Sequence, residues 1–391
     1  MARLSHSSIE KYKTCPRLWY NHYIEKLRDK QIGSPLFLGS AIDEALNALL
    51  LKKMKPENMT EEDKEFLGKC PLELFDEKFS LVNYNKEDLD MVANLKARYS
   101  VADFDADLLQ EDDIEDMGEF LKENGYEEVQ DPILIMLNIK KYIKNHGYIE
   151  LDDLDQTYYA YCNWLSLRRK GHMMIETYEK ELMPLIYEVV SIQKKIELPN
   201  GEGDTIIGYI DFEAILFSDE IDEHGRVPDN FVTVCDNKTS SIKYKENSVK
   251  ESQQLTIYCE AQELQNAAYF VLNKKVRKTK EKTCKKCGKV TTRAVKKCAE
   301  GGTGKNRCNG DFDLKIISSI DTQVIKDEID EEFTELTFDV IQDILGDIRE
   351  EAYEKVEQNN CFLWGRKCLF HERCWKDSTS MKGIICTKEE E

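Results

Sequence analysis

Two short stretches decide the fold, GYID at residues 208–211 and VCDNK at residues 234–238. An acidic residue ends an apolar run in the first, and in the second an acid stands two residues before a lysine. Apolar residues alternate from about residue 186, and a PNG turn cluster lies at residues 199–201, which predicts strands separated by one hairpin length. Side chains two positions apart on a strand share a face, so we expect Asp236 and Lys238 to point together.

These residue types suit the hydrolysis of a phosphodiester bond. Carboxylate oxygens bind hard cations such as Mg²⁺ or Mn²⁺, and Asp211 and Asp236 would supply them. Such an ion polarises the phosphate and lowers the pKa of a water, which Lys238 would orient or deprotonate. An Asp-x-Lys pair alone also occurs on ordinary solvated strands. The following segment, residues 253–266, predicts a helix that places Gln254 and Tyr258 on one face, where they could reach the phosphate or the lysine.

The rest of the chain predicts further helices and strands around these motifs. Residues 4–30 predict a first helix, and residues 37–53 a second, amphipathic one. Strands are predicted at residues 267–276 and 312–321, and a helix from about residue 323 to 358. The predicted fold class is α/β, a small mixed sheet flanked by helices. The predicted segments are N-terminal core helices (1–53), a helical insertion (54–185), the catalytic core (186–278), a zinc-ribbon-like basic insertion (279–310) and the end of the core with a cysteine-bearing tail (311–391).

Composition limits the class of protein. The 391 residues are 41% hydrophobic and 33% charged, which is typical of a folded, soluble chain, and no apolar run is as long as a membrane span. The N-terminus lacks the apolar core of a secretory signal, so we expect a cytoplasmic protein. In a reducing compartment thiols stay free, and the thirteen cysteines therefore indicate metal binding rather than a disulfide framework.

Charge is distributed unevenly along the chain. The formal net charge is -20, yet residues 274–307 hold fourteen Lys or Arg against Glu281 and Glu300. Within this basic stretch lie Cys284 and Cys287, spaced as a metal knuckle, and then Cys298 and, just beyond it, Cys308. We predict a zinc site on an insertion between two strands. The basic residues either contact DNA phosphates, which we favour, or surround a zinc-stabilised loop without a role of their own.

A second group of cysteines is divided between the two ends of the chain. Cys15 stands before Pro-Arg near the N-terminus, and Cys361, Cys368 and Cys374 lie in the motif CFLWGRKCLFHERC near the other end. Four thiolates suit an iron–sulfur cluster of the 4Fe-4S type or a zinc ion. Cys386 or His371 are substitutes for the fourth ligand.

The order of helix, G-x-I-D strand, D-x-K strand and Q-x-x-x-Y helix resembles the RecB-like branch of the PD-(D/E)XK nuclease superfamily, over the first fifty residues and most of 186–375. The resemblance implies a restriction-endonuclease-like core. It also implies a metal-ligating histidine on the second helix, where this chain has Asp43. A carboxylate is an acceptable ligand for Mg²⁺ or Mn²⁺, so we expect altered metal preference rather than an inactive site. Glu44 is the next candidate.

The split cysteine group resembles the iron–sulfur staple of AddB-type and CRISPR-associated RecB-family nucleases, although Gly365 stands where one cysteine is expected and Cys361 would take its place. These resemblances imply a DNA exonuclease acting on single strands or duplex ends in recombination, repair or bacteriophage DNA metabolism. A helicase or recombination partner, and the host cytoplasm for a phage-encoded protein, belong to the same expectation. The alternative is a catalytically silent DNA-binding or scaffold subunit, which the unusual Asp43 keeps open.

Overall fold

A mixed β-sheet forms the centre of the computed structural model, which describes residues 2–29, 33–80, 119–120, 122–123, 153–201, 203–222, 225–293, 295–298, 300, 308, 310–358, 361–363, 366–381 and 384–387. The sheet contains β1 (Arg3–Leu4), β3 (Ile186–Pro199), β4 (Thr205–Asp222), β5 (Gly225–Ser240), β6 (Asn266–Cys284), β7 (Val290–Thr291) and β8 (Phe312–Glu328). Two short pairs lie outside it: β2 (Leu27–Asp29) with β11 (Ile384–Cys386), and β9 (Phe362–Leu363) with β10 (Arg366–Lys367).

Strand pairing explains why the sheet is mixed. Strand β4 lies antiparallel to both β3 and β5, and β1 runs parallel to it at its start. Strands β5 and β6 are parallel, since helix α7 (Gln253–Gln262) connects them as a crossover, and β6 pairs antiparallel with β8. The predicted α/β class with a mixed sheet flanked by helices is confirmed.

Helices cover the sheet on both sides and bury two groups of apolar side chains. Helix α3 (Ser34–Leu51) is apolar on most of its surface and packs with α5 (Pro71–Lys78) and α6 (Asp153–Thr177) against Phe212 and Phe270. The second group joins α1 (His6–Thr14), α7 and α8 (Glu331–Arg349) around Ile210 and Val234. Helices α2 (Pro16–Tyr23), α4 (Glu61–Phe66) and α9 (His371–Trp375) complete the described set.

Two predicted helices are wrong in their extent. The first is interrupted at Cys15, whose φ of -170° and ψ of 114° are extended, because a residue before proline avoids helical backbone. The helix predicted for residues 323–358 begins only after β8, where Asp330 caps it by accepting from the N–H of Phe333, and it ends at Arg349. The predicted helical insertion at 54–185 is helical where it is described, and most of its middle lies outside the described residues.

Strands β6 and β8 continue past the rest of the sheet as a two-stranded arm. The arm consists of residues 276–284 of β6 paired with residues 312–320 of β8, and its tip carries the segment that joins them. Strands β2 and β11 bring segments from near the two ends of the chain together. Within the described residues, no helix is both long and apolar enough to cross a membrane.

Candidate active site

Four elements place the predicted catalytic side chains in one cleft. Asp43 projects from α3, Asp211 from β4, Asp236 and Lys238 from β5, and Gln254 and Tyr258 from α7. Asp236 is almost fully buried, and the side chain of Lys238 is 30% exposed. The Lys238 Nζ lies 2.7 Å from Asp236 Oδ2, as the shared face of a strand predicts.

Gln254 ties the helix to the strand motif. Its Nε2 donates to Asp236 Oδ1 at 2.8 Å and to the Tyr258 hydroxyl at 3.2 Å, and its Oε1 accepts from Lys238 Nζ at 3.0 Å. One amide therefore fixes both the acid and the lysine. This position is consistent with a supporting role for Gln254, whose amide is already engaged within the protein.

Gly208 is required for the close approach of α7 to β4. A β-carbon at this position would lie 2.6 Å from Cε1 of the Tyr258 ring and 3.4 Å from Ile196. A contact of 2.6 Å is shorter than carbon atoms tolerate, so only glycine lets Tyr258 pack flat on the strand. The glycine of the GYID stretch is thus explained by packing.

Burial raises the pKa of each of the three carboxyl groups, and repulsion from neighbouring carboxylates adds to the rise for Asp43 and Asp211. Burial, together with the charge of Asp236, raises the pKa of Asp43 to about 6. Burial and the charges of Asp236 and Asp43 raise the pKa of Asp211 to about 8, and burial raises the pKa of Asp236 despite the nearby Lys238. For Lys238 burial lowers the pKa, but the Asp236 carboxylate outweighs it and the net shift is upward.

These groups fit a divalent cation. Three carboxylates and one ammonium leave an excess of two negative charges when all are ionised, and the raised carboxyl pKa values show how poorly the protein alone compensates them. Asp236 Oδ2 is buried, and its partner is the Lys238 ammonium at 2.7 Å. The oxygens of the three carboxylates do not all lie within 4.8 Å of one another, so one ion held by all three would need a bridging water or a shift of a side chain.

Two further residues of the cleft were not predicted from the sequence. The backbone N–H of Asn237 donates to Asp211 Oδ2 at 2.8 Å, and the Asn237 side chain accepts from the Tyr178 hydroxyl at 3.0 Å. Tyr178 follows α6 and is fully buried, with no local motif around it that would signal such a contact. Glu44, the fallback metal ligand, instead lies 3.0 Å from Lys78 as an ion pair.

The four cysteines of the basic insertion meet at the tip of the arm. The Sγ atoms of Cys284 and Cys308 are 3.5 Å apart, those of Cys287 and Cys298 are 3.6 Å apart, and all four lie within 4.8 Å of one another. Four thiolates around one zinc ion at about 2.3 Å would be spaced by about 3.8 Å, close to what is observed. The long spacing between Cys298 and Cys308 does not keep them apart, because the Cys298 N–H donates to Gly310 O at 3.0 Å and the Cys308 N–H to Glu300 O at 2.9 Å.

Two local features prepare this tip for thiolate ligands. A β-carbon on Gly310 would lie 2.5 Å from Cys284 Sγ and 3.3 Å from Cys308 Sγ, so glycine is required there. Burial acts to raise the pKa of Cys284, but backbone N–H groups of Cys287 and Lys286 donate to its sulfur and lower the pKa to about 6. These four cysteines are a group that can hold a metal ion.

The cysteines from the two chain ends also come together. Cys361, Cys368 and Cys374 are close enough to interact electrostatically, and Cys15 also acts to raise the pKa of Cys374. The Cys368 N–H donates to Cys361 O at 3.1 Å, which places Cys361 in the group despite its unusual spacing. The alternative ligand Cys386 lies on β11, where its thiol donates to Glu25 O. The ligand atoms of this group are more widely spaced than those at the tip of the arm. Within the described residues, the tip is the one set of three or more Cys, His, Asp or Glu ligand atoms that all lie within 4.8 Å of one another.

Comparison with known proteins gives one finding. No curated protein matches this chain. A family model does match, over a segment that carries Cys15 and Asp43 but ends before Asp211, Asp236 and Lys238. By this match, residues 3–113 of the chain are similar to the PD-(D/E)XK nuclease superfamily.

Proposed function

We propose that this protein is a metal-dependent deoxyribonuclease that hydrolyses phosphodiester bonds in the cleft around Asp211, Asp236 and Lys238. The observation that carries the proposal is the grouping of Asp43, Asp211 and Asp236 around one lysine, with Gln254 hydrogen-bonded to both Asp236 and Lys238. The match of residues 3–113 to a nuclease superfamily supports it independently, since it lies outside the strands that hold the motif.

Asp211 and Asp236, helped by Asp43, would hold the Mg²⁺ or Mn²⁺ ion. When bound, the ion polarises the scissile phosphate and makes a nucleophile of water at neutral pH. Asp211 is prepared for this by its single hydrogen bond from the Asn237 N–H, which occupies one oxygen and fixes the carboxyl plane. Asp236 would offer Oδ2, the oxygen that pairs with the Lys238 ammonium.

Lys238 acts as a positioning cation in this scheme. Its raised pKa keeps the ammonium charged at neutral pH, and Gln254 holds it on the same side as Asp236. A charged ammonium donates hydrogen bonds to the attacking water or to a phosphate oxygen and compensates charge that develops there. Of the two roles predicted for Lys238, orientation of the water is favoured over its deprotonation.

The substrate we propose is DNA, as single strands or duplex ends, processed as an exonuclease. The basic arm supports a nucleic-acid substrate, although ion pairs reduce its net charge: Lys285 with Asp313, Lys289 with Glu300, Lys297 with Asp311 and Arg277 with Asp321. Lys278, Lys280 and Lys282 alternate along β6 on one face of the arm. Such a row is directed to phosphates and carries no sequence information.

Cleavage of end-labelled single- and double-stranded DNA with Mg²⁺ or Mn²⁺ tests the activity. Degradation should require the metal and fall by about 10²–10⁴ in Lys238→Ala, the range for a group that assists proton transfer or charge development. Lys250→Ala is the matched control, because Lys250 is exposed and pairs with Asp327 at 3.3 Å. Accumulation of mononucleotides from one end, rather than internal fragments, would support an exonuclease.

A second function stands beside this one because Asp43 replaces the expected histidine. A scaffold or DNA-binding subunit would keep the fold and bind DNA without cutting it. Binding without cleavage under every divalent metal tested, by protein of confirmed folding, would reject the nuclease and support that role. Restored cleavage in Asp43→His would show that the metal site alone had been altered.

We also propose two further metal centres. The group of Cys15, Cys361, Cys368 and Cys374 would hold a 4Fe-4S cluster, since each thiolate of a cluster binds a different iron and the ligands lie further apart than around one zinc ion. Its test is bound iron and a brown colour that bleaches in air, both lost in Cys15→Ser. Zinc alone at this site would reject the cluster. The Cys284, Cys287, Cys298 and Cys308 group would hold zinc, as its sulfur spacing indicates.

A further inference from the structure

A polar cavity lies beside the cysteine group at the chain ends, away from the carboxylate cleft. It has a volume of about 810 Å³ and lies between α2, the segment after α8 and α9. Arg17, Lys355 and Arg373 line it together with Glu25 and Glu354, so its charged side chains sum to a net positive charge. The sum is one positive charge, on a chain whose net charge is -20, and Cys374 of the cysteine group also lines the cavity.

One buried amide faces this cavity without a partner. Asn21 is 4% exposed, lines the cavity, and its side chain makes no hydrogen bond with any residue that the structure describes. The polar atoms of Asn21 are not among the fully enclosed ones, so the amide is open to a ligand or water in the cavity. Asn21 can donate to a phosphate or sugar oxygen, whereas the hydroxyls of Tyr20 and Tyr353 already donate to Glu25 and to Ile348 O.

The cations are held in place by an aromatic floor. The Arg17 guanidinium lies 5.0 Å from the centroid of the Tyr20 ring, which itself is 4.8 Å from the Tyr353 ring. Lys355 lies 4.2 Å from the Trp375 ring centroid and donates to Cys374 O at 3.1 Å. Cations that rest on rings lose less conformational entropy when they bind an anion.

We propose that this cavity binds the sugar–phosphate backbone of a single DNA strand, with Arg17 and Arg373 on phosphate oxygens and Asn21 as a hydrogen-bond donor. The proposal deepens the proposed nuclease function, because it names a second binding region for the same substrate strand. A concave site of this size admits one strand, whereas the width of a duplex keeps its phosphates outside.

The cavity is close enough to the active site for one short strand to reach both. Helix α2 follows α1 directly, and α1 carries His6, Glu10 and Lys13 along a second cavity of about 470 Å³ that Gln254 also lines. From His6 to Tyr20 the two helices span at most about 25 Å, given a rise of about 1.5 Å per helical residue and about 3.5 Å at the extended Cys15. That length is a few nucleotides of a single strand.

A competing role for these cations is compensation of thiolate charge. Arg17 and Lys355 both act to lower the pKa of Cys374, and Arg17 follows Cys15 by two residues. The two roles predict different defects when these cations are removed. Charge compensation predicts that the variants lose bound metal, and that variant molecules that keep their metal bind DNA with unchanged affinity. DNA contact predicts loss of affinity at full metal content.

The experiment measures binding of a short fluorescent oligodeoxythymidylate to the full-length metal-loaded protein, by anisotropy, without divalent cations and over a series of salt concentrations. Arg17→Gln combined with Arg373→Gln should weaken binding roughly tenfold and reduce the salt slope by about 1.4, or about 0.7 for each phosphate that is no longer neutralised. Asn21→Ala should weaken binding and leave the slope unchanged, since it removes no charge. Lys11→Gln combined with Lys376→Gln is the matched control. Lys11 lies on α1 and Lys376 directly follows α9, and neither lines the cavity, so the control also removes two cations.

Affinity and salt slope equal to those of the Lys11 and Lys376 control would overturn the proposal. If the arginine variants lose their metal, Lys355→Gln and Asn21→Ala at full metal content decide it by the same two readouts. The outcome is separable from that of the proposed function. A protein that binds through the cavity but never cleaves DNA leaves this site standing, and one that cleaves but binds normally without these side chains refutes the site alone.

Discussion

The carboxylate cleft and the four-cysteine tip of the arm are both suited to metal, yet they are assembled in opposite ways. The tip draws its ligands from one insertion, residues 284–308, and its sulfur atoms already lie within 4.8 Å of one another. The cleft draws Asp43, Asp211 and Asp236 from a helix and two strands, and these acids raise one another's pKa. A local turn can form the first site, whereas the second exists only when the whole core has folded.

The two sites also differ in how they affect the stability of the metal-free protein. Repulsion among these carboxylates destabilises the folded state. Their pKa values are therefore higher in the folded than in the unfolded protein, and the groups take up protons on folding. At the tip, backbone N–H groups lower the pKa of Cys284, whereas for Cys308 the Gly310 N–H acts to lower the pKa but burial and the neighbouring thiols raise it to about 12. We therefore expect the cleft to respond strongly to pH and to charge-removing substitutions, and the tip to respond to loss of a single thiol.

The largest effect should come from Asp211→Asn. Loss of one metal-binding oxygen should reduce DNA cleavage by about three orders of magnitude, the several kcal/mol that a metal ion contributes to charge stabilisation. The metal-free protein should keep its melting temperature, since the raised pKa of about 8 leaves Asp211 largely protonated at neutral pH and asparagine resembles that form. Activity and thermal unfolding with and without Mn²⁺ measure both.

The control for this substitution is Asp339→Asn, an exposed acid on α8. It should change neither cleavage nor the stabilisation by Mn²⁺. A wild-type response to Mn²⁺ in Asp211→Asn would mean that the ion binds elsewhere, and the cleft would lose its assigned role.

The next effect is a dependence of metal affinity on pH. The folded pKa values of Asp43 and Asp211, about 6 and about 8, exceed their unfolded values, so the stability they contribute is present at low pH and is lost as pH rises through those values. A divalent ion must displace these protons, and its affinity should rise by up to about tenfold per pH unit in the same window. Thermal unfolding in a pH series, with and without Mn²⁺, measures the two trends.

The diagnostic result is that two quantities change with pH in opposite directions. The metal-free melting temperature should fall with rising pH, and the stabilisation by Mn²⁺ should grow. Asp211→Asn should flatten both curves, and an unchanged pH profile in that variant would show that other groups control them.

A smaller effect is expected from the packing that supports the cleft. Gly208→Ala would place a β-carbon 2.6 Å from the Tyr258 ring, and we expect a loss of about 1–3 kcal/mol in the free energy of unfolding together with reduced cleavage as Tyr258 and Gln254 shift. Gly346→Ala is the matched control, because its β-carbon would meet nothing within 4 Å and alanine favours helix α8. Denaturant unfolding distinguishes them, and equal stability in the two variants would contradict the packing argument.

The same contrast between local and distant contacts explains what the sequence could predict. The strand period placed Asp236 beside Lys238, and the helix period placed Gln254 beside Tyr258, because both relations depend on local geometry. The break at Cys15 was also readable, since Pro16 disfavours helix before it, but the continuous apolar pattern concealed it. Tyr178 could not be found, because its contact with Asn237 depends on how α6 packs on the sheet.

Spacing rules were least reliable where loops close a site. Cys298 and Cys308 stand further apart in sequence than a zinc knuckle suggests, and backbone hydrogen bonds to Gly310 and Glu300 bring them together all the same. The predicted start of the last long helix was wrong for a related reason, since β8 extends to Glu328 by pairing with β6 and overrides the local helical pattern.

The smallest effect on cleavage should follow from Cys287→Ser at the tip of the arm. Protein-bound zinc should fall by one equivalent, because three thiolates without the fourth hold the ion weakly, while cleavage of short oligonucleotides changes only a few-fold. Cys70→Ser is the matched control, an exposed thiol on the segment before α5 that belongs to neither cysteine group. Metal analysis and cleavage assays on the same samples separate the two sites, since Asp211→Asn should give the reverse result with zinc retained and activity lost. A loss of cleavage in Cys287→Ser as deep as that in Asp211→Asn would mean that the tip shapes the cleft, and the independence of the two sites would be refuted.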